Sequence, residues 1–100
     1  MTNLTANQIA LSQANVAAEI KALRAEITDR AEMIATFAQN GGFICTEKGK
    51  TASVRGREDC DVRIAVWRAA FDAEIAAATA EQIADAKTMC TENNITTAWF

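Results

Sequence analysis

Hydrophobic residues recur at helical spacing through the first forty positions of the chain. Their separations of seven, four, three, four, seven and three residues describe a heptad seam, which predicts one long helix over about residues 6–39. Thr5 and Gln8 form a T-x-x-Q capping box at its start, and Gly41 supplies a residue suited to its end. The seam consists of Ile9, Val16, Ile20, Leu23, Ile27, Ile34 and Phe37.

The next stretch, about residues 43–55, reads FICTEKGKTASVR and predicts a β-hairpin with a basic tip. A turn at Lys48-Gly49 pairs Phe43 with Val54 on one face, and it leaves mostly polar pairs on the other. A two-stranded ribbon is marginal alone, so we expect its apolar face to cover part of the helices.

A second helical region is predicted over about residues 60–90, beginning near Asp59 or Asp61. A second T-x-x-Q box at Thr79 and Gln82 leaves two alternatives, a continuous helix or a break near residue 79, and we favour the break. An apolar tail follows at residues 95–100. The predicted core face of this region consists of Ile64, Trp67, Phe71, Ile75 and Ala78.

These elements predict a single domain, residues 1–100, that is mainly α with one β-hairpin, an α+β fold. The order is long helix, hairpin, and long or broken helix, with the two helical regions forming an antiparallel pair. Alanine accounts for 22 residues and aromatic residues for only six, so the helices must pack closely or be covered by a second chain.

Charge is unevenly distributed along the chain. The net charge is −3, but the stretch Glu47–Arg68 is +2 and the remainder is −5. Such asymmetry affects partner selection and does not determine the fold. The sequence has neither a secretion signal nor an apolar run long enough to cross a bilayer, so we expect a cytoplasmic protein with no membrane partner.

The residue types disfavour catalysis and metal binding. There is no histidine, the commonest general acid–base residue. The cysteines Cys45, Cys60 and Cys90 form no CxxC motif and lack zinc-site spacing, and an odd number of thiols fits a reducing compartment. We therefore expect no enzyme activity, no catalytic residue, no cofactor and no metal.

Candidate interaction residues fall into three groups. A basic group in and after the hairpin can contact nucleic-acid phosphates or an acidic protein surface, and an acidic group on the helices can contact a basic partner. The terminal aromatic pair can anchor a partner or pack on its own helices, which we favour. The groups are Lys48, Lys50, Arg55 and Arg57; Glu26, Asp29, Glu32, Asp72 and Glu74; and Trp99 with Phe100.

The alanine-rich helix ALRAEITDRAEM, the short acidic chain and the absence of an enzyme signature together resemble the small anti-CRISPR proteins of phages and mobile elements, of the kind that inhibit type I systems. The resemblance implies a non-enzymatic inhibitor in the bacterial host cytoplasm. Such a protein would bind Cas subunits of a surveillance complex and mask the surface where target DNA enters or hybridises.

Two alternatives come from the residues themselves. The heptad seam is typical of a self-associating coiled-coil structural or adaptor module, which would be a homo-oligomer. The basic hairpin is typical of a weak nucleic-acid binder, although the acidic overall composition disfavours direct nucleic-acid binding.

Overall fold

The fold of this protein comes from a computed structural model that describes residues 4–50, 56–95 and 99–100. For residues 43–50 and 57 the description covers the backbone. The described chain forms four helices: α1 (Ala6–Glu26), α2 (Arg30–Lys50), α3 (Arg57–Ala77) and α4 (Ala80–Glu92). The described residues contain no strand, so the predicted α+β class is wrong and this part of the chain is all-helical.

The predicted continuous helix over residues 6–39 is interrupted after Glu26. The N–H of Ile27 bonds to the Leu23 carbonyl and ends α1, and the Asp29 carboxylate accepts the N–H of Glu32 at 3.1 Å and begins α2. Asp29 is thus an N-cap, with an acidic residue three positions later. Because the apolar periodicity continues across the break, the spacing alone predicts one continuous helix.

The predicted hairpin is also wrong where the structure describes it. Residues 43–50 belong to α2, and residues 51–55 lie outside the described residues. Gly41 does not end the helix, which continues to Lys50. The indole of Trp99 lies so close to Gly41 that a Cβ placed there would overlap it. Continuing an existing helix adds a hydrogen bond for each residue, whereas an isolated ribbon is marginal.

The second helical region divides in two, as its second capping box favours. Thr79 Oγ1 accepts the Gln82 N–H at 3.1 Å, and the Gln82 side chain accepts the Thr79 N–H at 2.9 Å. The first helix of this region begins at Arg57, after Gly56 with φ of 86°, which is three residues before the predicted start. The T-x-x-Q box at Thr5 is likewise formed.

The end of α4 is a Schellman motif formed at Asn93 and Asn94. Asn94 has φ of 56°, its N–H bonds to the Thr91 carbonyl at 3.2 Å, and the Ile95 N–H bonds to the Cys90 carbonyl at 2.8 Å. This turn carries Ile95 back against the helix it has just left.

Helices α2 and α3 form the centre of the molecule, with α1 packed on α3 and α4 packed on α2. The α2–α3 pair is antiparallel, as shown by contacts from Arg30 to Glu74 and from Phe37 to Trp67. The α1–α3 pair is parallel, because Leu4 bonds to Glu58 near the start of both helices. The predicted antiparallel pairing therefore describes only α2 and α3.

One hydrophobic core joins all four helices. Phe37 and Trp67 are fully buried at its centre, with ring centroids 5.8 Å apart. The predicted seam positions Val16, Ile20 and Ile34 are buried within this same chain.

Candidate functional site

Carboxylates are concentrated at the end of the molecule where both helix breaks lie. The breaks are adjacent, because the Nη1 of Arg30, the first residue of α2, donates to the Ala77 carbonyl at the end of α3 at 2.9 Å. Between residues 72 and 85 the sequence has four carboxylates and no Lys or Arg. We call the exposed set the acidic end, which consists of Glu26, Asp29, Glu32, Glu81 and Asp85.

Glu74 belongs to the interior of this end and is unavailable to a partner. Its side chain is only 14% exposed, and its carboxylate binds two guanidinium groups, with Arg24 Nε at 3.4 Å and Arg30 Nε at 3.2 Å. Because Glu74 occupies both arginines, the acidic end carries no described ion pair.

Two other predicted acidic residues have structural partners. Asp72 pairs with Arg68 one turn earlier at 3.0 Å, although its side chain is 57% exposed. Asp29 caps α2 and remains exposed. Of the predicted acidic group, Glu26 and Glu32 are thus the exposed carboxylates whose side chains serve no described structural contact.

Sequence reasoning missed Glu81 and Asp85. The signal was present, because the Thr79 box sets the start of α4 and therefore places Glu81 in its first turn. The sequence did not predict the break between α1 and α2, which brings the first turn of α4 beside the start of α2.

The predicted basic group is not presented on a hairpin. Lys48 and Lys50 belong to the last turn of α2, and Arg57 is the first residue of α3. Arg55 lies outside the described residues. Lys48, Lys50 and Arg57 therefore flank the α2–α3 connection, at the opposite end of α2 from the acidic end.

The terminal aromatic residues pack on their own chain. Trp99 meets Phe71 edge to face, with ring centroids 5.3 Å apart, and the Arg68 guanidinium lies 5.3 Å from the Trp99 ring. The ring centroids of Phe100 and Phe71 are 5.4 Å apart, and the Lys87 Nζ lies 5.8 Å from the Phe100 ring centroid. The tail thus joins α3 to α4, and of the pair Phe100 is the more exposed, at 39%.

A groove of about 490 Å³ lies between α2 and α4. Its α2 wall has the spacing i, i+3, i+4 and i+7, so one face of the helix lines it. Glu32 is its single charged residue, which connects the groove to the acidic end. The lining residues are Glu32, Ala35, Thr36, Gln39, Met89, Asn93 and Ile95.

The described thiols are buried. Cys60 is fully buried and Cys90 is 4% exposed, and burial raises the pKa of the Cys90 thiol above its ordinary value. Beside Cys60, the buried Ser12 hydroxyl donates to the Asp59 carboxylate, linking α1 to α3. The described residues contain no cluster of three or more metal-ligating side chains.

None of the four helices, over their described residues, combines the length and apolarity required to cross a bilayer. No protein family matches the chain, and comparison with curated proteins and with solved structures finds no match either.

Proposed function

We propose that this protein is a non-enzymatic inhibitor that binds a larger nucleoprotein complex of the CRISPR-Cas type and occludes its nucleic-acid-binding surface. The observation that supports this function is the acidic end, where five exposed carboxylates lie without a described counter-ion. A surface that binds nucleic acid is rich in Lys and Arg, which such carboxylates attract. The CRISPR-Cas class itself comes from the sequence resemblance.

The Glu74 arrangement supports the proposal a second way. Glu74 binds Arg24 and Arg30, so neither guanidinium group forms a described ion pair with the exposed carboxylates of the acidic end. Like charges near one another are unfavourable in the free protein, and a basic partner relieves this repulsion. Asp29 accepts a helix N–H at the start of α2, so it is left unaltered in the experiment, whereas the α4 capping box is formed by Thr79 and Gln82 and does not involve the Glu81 side chain.

The structure gives less support to the alternatives. The seam on which a self-associating coiled coil would depend is occupied by the core of this chain, because Val16, Ile20, Ile34 and Phe37 are buried there. The nucleic-acid alternative relied on a hairpin tip, and residues 43–50 are helical.

The experiment measures target-DNA binding by a purified type I surveillance complex in a gel-shift assay, with and without this protein. We expect the protein to lower DNA binding, and the double variant Glu26→Gln/Glu81→Gln to weaken that inhibition about tenfold. The matched control Glu19→Gln/Glu92→Gln removes the same charge from exposed positions outside the acidic end and should inhibit normally.

Normal DNA binding by every tested complex in the presence of the protein would refute the inhibitor proposal. Equal weakening by both double variants would show that net charge, and not the acidic end, is responsible. Circular dichroism of each variant verifies that the helices are retained.

A further inference from the structure

We propose that the groove between α2 and α4 receives an arginine or lysine side chain from a basic protein partner, which makes it the specificity pocket of the acidic end. This inference rests on the proposed function, since it names the contact through which the acidic end would engage its partner.

The dimensions fit a long side chain with a short piece of its backbone. The α2 wall extends from Glu32 to Gln39, which is about 10 Å along a helix. A volume of about 490 Å³ lies within the ordinary range of ligand pockets. An extended segment of about three residues covers such a length.

The lining combines apolar side chains with the polar side chains of Thr36, Gln39 and Asn93. Ala35, Met89 and Ile95 supply apolar surface, with Ala35 buried and the other two half-buried. The Schellman turn at the end of α4 fixes Ile95 at this position. The aliphatic stem of arginine or lysine packs on such a surface while its charged head remains hydrated.

The charge is at the end of the groove nearest the acidic end. Glu32 is exposed, and its carboxylate has no described ion pair, while its backbone N–H is held by Asp29. Arg30 of α2 and Lys87 of α4 have other partners: Arg30 binds Glu74, and the Lys87 ammonium lies over the Phe100 ring. The groove therefore offers a guanidinium or ammonium group the Glu32 carboxylate, next to apolar side chains that can contact its aliphatic stem. The carboxylate would repel an anionic occupant and would have no partner on a wholly apolar one.

The first experiment titrates the ¹⁵N-labelled full chain with the capped pentapeptide acetyl-Ala-Leu-Arg-Leu-Ala-amide, followed by NMR. A second peptide replaces arginine with citrulline, which has nearly the same shape and no charge. We expect amide shifts concentrated at residues 32–39 and 89–95, and about threefold weaker binding of the citrulline peptide.

Glu32→Gln tests the charge pairing, because it should abolish the preference for arginine over citrulline. Glu19→Gln is the control and should retain that preference. The groove proposal is overturned by absence of shifts at millimolar peptide, by shifts centred elsewhere, or by an arginine preference that survives Glu32→Gln. Equal binding of both peptides to the unaltered protein also overturns it, because the groove would then accept any apolar segment.

A second measurement separates this inference from the proposed function. Thr36→Phe fills the groove without changing charge, and it should weaken inhibition of the surveillance complex about tenfold while the acidic end is unaltered. Full inhibition by a folded Thr36→Phe variant, with weakened inhibition by Glu26→Gln/Glu81→Gln, rejects the groove and retains the inhibitor. No inhibition by the unaltered protein rejects the inhibitor itself, and the peptide titration then decides the groove alone.

Discussion

The two halves of this protein repeat one plan with different endings. Each half is a 21-residue helix, a capped break and a second helix, but α2 has 21 residues while α4 has only 13. In the second half, two aromatic residues near the chain terminus add contacts that the shorter α4 lacks. Trp99 lies against Gly41 of α2, and Phe100 lies between α3 and α4. The shorter α4 is thus supplemented by two aromatic side chains that pack on the other helices.

The largest expected effect on stability comes from a comparison of Trp67, in the core, with Trp99, in the C-terminal tail. Trp67→Ala should cost about 3–5 kcal/mol of unfolding free energy, because the residue is 1% exposed and contacts Phe37 across the two halves. Trp99→Ala should cost about half as much, since its indole is only half-buried. Urea denaturation followed by circular dichroism measures both. Equal losses would mean that the tail is part of the core.

Glu74→Gln tests whether Glu74 of α3 stabilises the break between α1 and α2, since its carboxylate binds one arginine on each side of that break. We expect a loss of about 1–2 kcal/mol, because Arg24 and Arg30 lose a mostly buried carboxylate, with screening reducing the contribution of these half-exposed arginines. Asp72→Asn, at an exposed pair with Arg68, is the control and should change stability by less than about 0.5 kcal/mol. Urea denaturation measures the free energy of unfolding of both variants. Equal losses for Glu74→Gln and Asp72→Asn would show that Glu74 contributes no more than an exposed ion pair.

The two caps allow the breaks to be compared directly. Asp29→Ala and Thr79→Ala each remove a side-chain acceptor for a helix N–H, at a cost of about 1 kcal/mol. Asp29→Ser should restore most of the stability, because serine is also a good N-cap. If Asp29→Ala leaves the urea midpoint unchanged, tertiary contacts and not the cap maintain the first break.

Gly41→Ala tests the contact between tail and α2. The new Cβ displaces Trp99, but alanine favours the helix by about 1 kcal/mol, so the net stability change should be smaller than that.

Fluorescence measures the displacement of Trp99 directly. In a Trp67→Phe background, where Trp99 is the remaining tryptophan, its emission should move to longer wavelength when Gly41→Ala exposes the indole to water. Within Trp99→Ala, the same glycine substitution should stabilise the protein; destabilisation there would show that another neighbour requires the glycine.

The smallest expected effect concerns alkaline pH. Burial raises the pKa of the Cys90 thiol, so the folded state keeps its proton while the unfolded thiol ionises near its ordinary value of 9.0. The unfolded state binds fewer protons in that range, so stability should fall as pH rises past about 9. Cys90→Ala should reduce the decline measured by urea denaturation at successive pH values. An identical decline in the variant would exclude this thiol as the cause.

Much of the local structure was determined by the sequence alone. The boxes at Thr5 and Thr79 begin α1 and α4, the Asn93-Asn94 pair ends α4, and Trp67 is a core residue. These features depend on residues within a few positions of one another, where capping and periodicity are strong signals. The exposure of Glu26 and Glu32 was predictable for the same reason.

Tertiary structure decided everything that depends on contacts between distant residues. Helix α2 continues through Gly41, where the absent side chain leaves room for the Trp99 indole, and the predicted long helix is interrupted before α2 although the apolar spacing persists. Glu74 is internal because Arg24 and Arg30 approach it from other helices. Periodicity specifies which face of a helix is buried, but the partner that buries it, and the breaks that bring it there, depend on the packing of the whole chain.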